Sequence, residues 1–226
     1  MNEALVEIVK KELKVAFKSK RTILSMLFAI GIPIFAFAPL LTAAEKGSVP
    51  TTMVLLMLLL IPTEFAFSVG MNAFPNEIRW RTMKSLLVAP VSEREILMGK
   101  SLACIIAGLV VEACVVAVLA FLPVPLDASA LITLLAIGPL LIAFSTFLIV
   151  LTTTRFPSST EGGAAAFIPV GGLMGIFFLC FFLQMALRTD PTLTSLAMAS
   201  VMAVLTFSVY FVATKWFDRE RLVTAL

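Results

Sequence analysis

Histidine is absent from the 226 residues and tyrosine occurs once. Without imidazole there is no Ser-His or Cys-His nucleophile pair and no H-E-x-x-H zinc motif, so six-span intramembrane proteases that rely on histidine are excluded. Charge is scarce as well, at 14% of residues, where a water-facing domain carries about 25%. Cysteine is limited to Cys104, Cys114 and Cys180. Each falls inside an apolar run and none has a paired ligand spacing, so neither a disulfide framework nor a metal site is expected, and the three read as small core-packing residues. No clustered Asp motif is present, so no catalytic residue and no cofactor is expected in this chain.

What remains is hydrophobic: 60% of the residues are apolar, with a mean hydropathy of +1.06. A spanning helix needs ~20 predominantly apolar residues to cross a ~30 Å hydrocarbon core. Six stretches meet that need, near 23–42, 51–73, 101–121, 130–151, 163–187 and 193–214. The expected fold is therefore all-α, a polytopic membrane protein of six transmembrane helices forming a single domain over 1–226. No cleavable signal peptide is expected, because the first apolar stretch runs long and lacks a small-residue cleavage site after it.

Orientation follows from Lys and Arg, since short basic loops resist translocation. With a cytoplasmic N-terminus, fifteen of the seventeen fall on the cytoplasmic side, leaving only Lys46 and Arg188 outside. The expected location is the cytoplasmic membrane, with both termini cytoplasmic. The net charge of +3 then needs no nucleic acid, because the basic excess sits where anionic lipid headgroups lie. Within residues 1–22, Leu5, Ile8, Val9, Ala16 and Phe17 share one stripe of a helix, while Glu7, Lys10, Lys11, Lys14 and Lys18 take the other side. Such a helix is expected to lie in the membrane interface.

The loop at 74–100 breaks the apolar pattern. From Asn76 to Ser101 the sequence NEIRWRTMKSLLVAPVSEREILMGKS carries eight charged residues. Trp80, Met83, Leu86 and Leu87 recur at helical spacing, which predicts a short helix ending before Pro90. Ser92 and Glu95 then have the spacing of a capping box, which predicts a second helix running on into the third span. A connector of this length with this much internal structure reads either as a docking surface or as a solvated loop carrying the topology signal. Gly99-Lys100-Ser101 resembles the end of a phosphate-binding loop, but Arg94 stands where its first glycine belongs and no strand precedes it, so nucleotide binding here is not expected.

Six spans, a basic amphipathic N-terminal helix, and this loop together resemble the type-2 permeases, the membrane halves of ATP-binding-cassette exporters. Glu77, Thr82, Leu86, Leu87, Pro90, Val91, Ser92, Glu95, Ile96, Leu97, Gly99 and Lys100 carry the match. Arg81 departs from it where glycine is frequent, and Lys84 where an acid is common. The resemblance implies a cytoplasmic coupling helix over about Arg81 to Ala89. Glu77, Arg81, Thr82, Lys84, Leu86, Leu87, Pro90, Ser92 and Glu95 would then meet a separate ATPase, with the N-terminal helix flanking them. It also implies ATP in that partner rather than in this chain, and a second permease, either another copy or a paralogue. A pair of short re-entrant helices near Phe177 to Leu187 is a further family expectation.

Within the spans only Glu64 and Glu112 are ionisable. Both lie at roughly 14–17 Å depth at 1.5 Å per residue, and sequential spans often pack side by side, which makes them candidate neighbours. Two readings stay open: they line a path that attracts a cation or a basic group on a substrate, or they act as structural glue between helices. The fifth span, with Gly171 and Gly175 at the G-x-x-x-G spacing, is either a moving or dimer-packing helix or a tightly packed one. The competing function is a stand-alone secondary transporter driven by an ion gradient through Glu64 and Glu112, although no repeat of the charged loop follows span five.

Overall fold

The computed structural model describes residues 3–18, 31, 35–37, 39–40, 42–44, 46, 50–76, 92–122, 126–155, 164–186 and 190–216. Among these all regular structure is helical. Five helices are long and apolar enough to cross a membrane, at Thr51–Phe74, Glu95–Leu119, Ala128–Thr153, Phe167–Ala186 and Pro191–Lys215. They correspond to the second through sixth expected spans. The expected first span near 23–42 lies mostly outside the described residues, where only a shorter apolar helix at Phe35–Ala44 is found.

The chain begins with α1 (Glu3–Lys18). It exposes Glu7, Lys10, Lys11, Lys14 and Lys18 and buries Val9 and Glu12, the burial following the i, i+3, i+4 stripe of its apolar residues. Instead of standing apart from the bundle, it runs along the flank of the spans. Ile8 lies against Gly99, and the ring of Phe17 is 6.0 Å from that of Phe65.

The next span is two helices, α2 (Thr51–Leu58) and α3 (Leu60–Met71), followed by a π-helical turn at Asn72–Asn76. Pro62 explains the break: it has no N–H for the carbonyl four residues before it, and α2 ends at that residue. The Thr63 hydroxyl donates to the Leu59 carbonyl at 2.7 Å and strengthens the chain across the joint. The third span is α4 (Glu93–Leu119), unbroken over 27 residues.

The fourth span starts as α5 (Ala128–Ile132), capped by the Asp127 carboxylate, which accepts from the Ala130 N–H at 2.8 Å. It widens into a π-helical turn at Thr133–Ile137 and continues as α6 (Gly138–Arg155). Pro139 again withholds a donor at the irregular turn. α7 (Ala164–Ala186) and α8 (Pro191–Trp216) complete the chain. α7 is continuous through residues 177–186, so the re-entrant pair expected there is replaced by one helix. That stretch is apolar and contains no glycine or proline to turn the backbone.

α6 is the centre of the bundle, packing on α3, α4, α7 and α8. One apolar core gathers Leu55, Leu59, Val115, Leu134, Phe144 and Met202; a second gathers Phe74, Ile96, Cys104, Ala107, Ile149 and Ala213 beneath α1. Gly108 makes the inter-helix contact possible. A Cβ there would come within 2.7 Å of Ile142 Cγ2 and 2.9 Å of Ala66 Cβ, so α3, α4 and α6 meet at a side-chain-free point. The outer face belongs to α7 and α8, each with 22% of its spanning window buried against 61% for Ala128–Thr153.

Candidate functional site

Of the residues predicted to meet a partner, Glu77, Arg81, Thr82, Lys84, Leu86, Leu87 and Pro90 lie outside the described residues; Ser92 and Glu95 lie within them. These two form the expected capping box. The Glu95 N–H donates to Ser92 Oγ at 3.3 Å, while Ser92 N–H and Oγ–H both donate to Glu95 Oε2, at 2.9 and 2.7 Å. Two donors that a helix start would otherwise leave unpaired are thus satisfied, and α4 begins without fraying immediately after the charged segment.

Two turns further along, Gly99 and Lys100 do structural work of another kind. A Cβ on Gly99 would lie 2.9 Å from Ile8 Cγ2 and 3.1 Å from Ile8 Cβ. Glycine here therefore lets α1 sit directly on α4. Lys100 is fully buried, and its Nζ donates to Glu12 Oε1 at 2.7 Å from a carboxylate whose side chain is only 10% exposed. The same Nζ is 6.0 Å from the centroid of the buried Phe74 ring, at the outer limit of a cation–π contact. Gly99-Lys100-Ser101 is helical throughout and buried in the protein interior.

The sequence reading missed Glu12 and Lys100 as a pair. A signal was present for one of them: Glu12 stands four residues after Ile8 and four before Ala16, inside the apolar stripe, where an acid needs a partner.

The two intramembrane acids take different environments. Glu112 is 5% exposed and its Oε1 has no hydrogen-bond partner among the described residues. Glu64 is exposed. Among the described residues no hydrogen bond or ion pair joins them. Leu59, at the α2/α3 joint, is fully buried on the side that faces Glu112; Glu64, five residues on, is rotated about 140° from it at roughly 100° per residue. A Cβ on Gly138 would collide with the Glu112 carboxylate and lie 2.9 Å from Leu59 Cδ2. The acid is thus packed between the joint of the second span and the end of the π-helical turn in the fourth.

Cys104 and Cys180 are buried as expected of packing residues, whereas Cys114 is exposed, on the outer side of α4. Among the described residues there is no group of three potential metal ligands. On α7, a Cβ added to Gly171 or Gly175 would meet nothing within 4 Å, whereas one on Gly172 would clash with Leu148. The G-x-x-x-G face of that helix is therefore open, and its neighbour Gly172 makes the contact to α6. No protein-family model, curated protein or solved structure matches the chain.

Proposed function

We propose that the chain is the membrane permease subunit of an ATP-driven exporter of the type-2 class, working with a separate ATPase and a second permease, either another copy or a paralogue. The observation that carries this reading is the junction at Ser92: a charged segment of fifteen residues, 77–91, feeds through a satisfied capping box into a 27-residue helix that is also the third span. A helix without a break transmits a displacement at one end to the other. A push delivered to the charged segment would therefore arrive inside the bundle at Gly108 and Glu112, where α3, α4 and α6 are in contact.

The need for a second permease is supported by Glu64 and by the open face of α7. A carboxylate facing lipid at this depth costs on the order of 2.5–3.5 kcal/mol, which a protein partner or a water-lined path would remove. ATP would be bound by the partner, and the membrane lipid contact would come from the lysine side of α1. The substrate would be moved across the cytoplasmic membrane, with both termini of the chain on the cytoplasmic side.

A second reading has one observation in its favour. Glu112, buried with an oxygen left unpartnered, suits a site that receives a cation in an ion-driven transporter. Purification of the chain in mild detergent from its own cells separates the two. An ATP-binding-cassette ATPase recovered in equal amount is the expected result; a chain that comes alone, with 77–91 open to protease, would overturn the exporter reading.

A further inference from the structure

The buried charge at Lys100 connects three elements that are distant in sequence. Phe74 lies in the π-helical turn that leads into segment 77–91, and Lys100 lies two turns after Ser92, where that segment ends. Glu12 belongs to α1, 88 positions from Lys100. One lysine therefore lies with its ammonium 6.0 Å from the Phe74 ring of the stem that enters the charged segment, forms part of the stem that leaves it, and pairs with the N-terminal helix.

We propose that Lys100 is a positioning residue that holds α1 and both stems of segment 77–91 together as one body, with Glu12 setting the register of α1. Apolar packing alone does not set that register. Leu5, Ile8, Val9, Leu13, Ala16 and Phe17 form a continuous stripe on α1, and a stripe can slide past Gly99 by one ~5.4 Å turn while still burying apolar surface. Such a slide parts Glu12 from Lys100 and breaks a buried ion pair, an arrangement far less stable than the pair intact. Buried ionic groups are best attested in this use, as devices that select one register among several. The side-chain-free surface at Gly99 completes the seat, because opposite the branched Ile8 a Cβ there would lie 2.9 Å from Cγ2, so a larger residue lifts α1 away from Lys100 unless Ile8 is cut back with it.

The inference concerns the chain alone and stands whether or not an ATPase is its partner. It is tested with Ile8→Cys and Gly99→Cys in a chain whose Cys104, Cys114 and Cys180 are changed to alanine. The built Cβ–Cβ separation of 3.1 Å reaches the ~3.5–4.5 Å of a disulfide with a shift of a few tenths. In native membranes the oxidised cross-link is expected to form readily. Glu12→Gln is expected to slow it by roughly tenfold or more, the result of breaking a buried ion pair, and Glu12→Lys with Lys100→Glu to restore it.

The stems are read separately. In detergent, trypsin cleavage at Arg79, Arg81 and Lys84 is expected to quicken several-fold in Glu12→Gln and to return towards the original rate in the charge exchange. The apolar pair Glu12→Leu with Lys100→Met checks against mere packing: it is expected to remain inserted yet to cross-link poorly at the native register. Full cross-linking in Glu12→Gln or in the apolar pair, or unchanged trypsin rates in Glu12→Gln, would overturn the proposal.

Discussion

Glu112→Met should make the protein more stable. Glu112 is 5% exposed, and its Oε1 is buried with no hydrogen-bond partner among the described residues. An acceptor left in that state costs about 1–3 kcal/mol, and methionine, an unbranched and flexible side chain of similar length, removes it. The opposing effect is the fit against Gly138, whose backbone touches the carboxylate; a slightly larger group there costs up to about 1.5 kcal/mol if the swap nearly conserves volume. The net expectation is a gain of roughly 1 kcal/mol. Glu112→Gln keeps a polar end of the same size and gives no such gain. Unfolding by SDS in mixed micelles, followed through the fluorescence of Trp80 and Trp216, measures the difference. If Glu112→Met unfolds at clearly lower SDS than the natural chain, the carboxyl is holding helices together and the reasoning fails. If the chain gains stability and loses transport, the acid is retained for function at the expense of stability, as active positions often are.

Gly108→Ala should destabilise the bundle by about 1–3 kcal/mol in the same SDS titration, because its Cβ has no room between Ile142 and Ala66. Gly171→Ala with Gly175→Ala should leave that titration unchanged; if the α7 face receives a second copy, the double variant instead shifts the chain from dimer to monomer in analytical ultracentrifugation. Ser92→Ala removes the cap of α4 and should cost about 0.5–2 kcal/mol, read as faster amide exchange over residues 93–96 with the rest of the span unaffected.

The parts of this fold that were legible in the sequence are those written in short-range chemistry. Ser92 and Glu95 are three residues apart, and their mutual hydrogen bonds need nothing beyond a helix start, so the spacing alone predicted them. The apolar runs fixed the spans from 51 onward for a similar reason, since bilayer thickness demands a minimum length whatever the neighbours are. The continuity of α7 was not legible, because residues 177–186 are apolar on every side and carry no periodicity to choose between crossing and turning back; the re-entrant alternative came from a resemblance rather than from those residues. Glu12 and Lys100 were not legible as a pair. The acid within the stripe of α1 announced that a partner was needed, but which base answered it depends on how α1 lies against α4, and that is a property of the packed bundle. Glu64 and Glu112 show the same limit. Depth follows from counting residues, whereas the face each presents depends on helix rotation, and the rotation that buries Leu59 turns Glu64 outward.

The sequence shows Pro62, Glu112 and Pro139 as three separate oddities on three successive spans. The structure brings their consequences to one level of the bundle. Pro62 withholds its donor from the end of α2, next to Leu59, and Pro139 withholds its donor from the π-helical turn Thr133–Ile137, next to Gly138. Gly138 lies against both the Glu112 carboxylate and the Leu59 side chain. The one buried acid of the third span, with an oxygen to spare, therefore sits beside two points where backbone carbonyls have lost their regular partners. Mid-span π-helical turns and broken helices are costly in a membrane unless the freed groups find use in the protein interior. Two such interruptions beside a single carboxyl leave this level of the bundle with hydrogen-bonding capacity that regular helices would have consumed. If the chain moves a substrate, as proposed, this is the level of the bundle where a polar group would find partners.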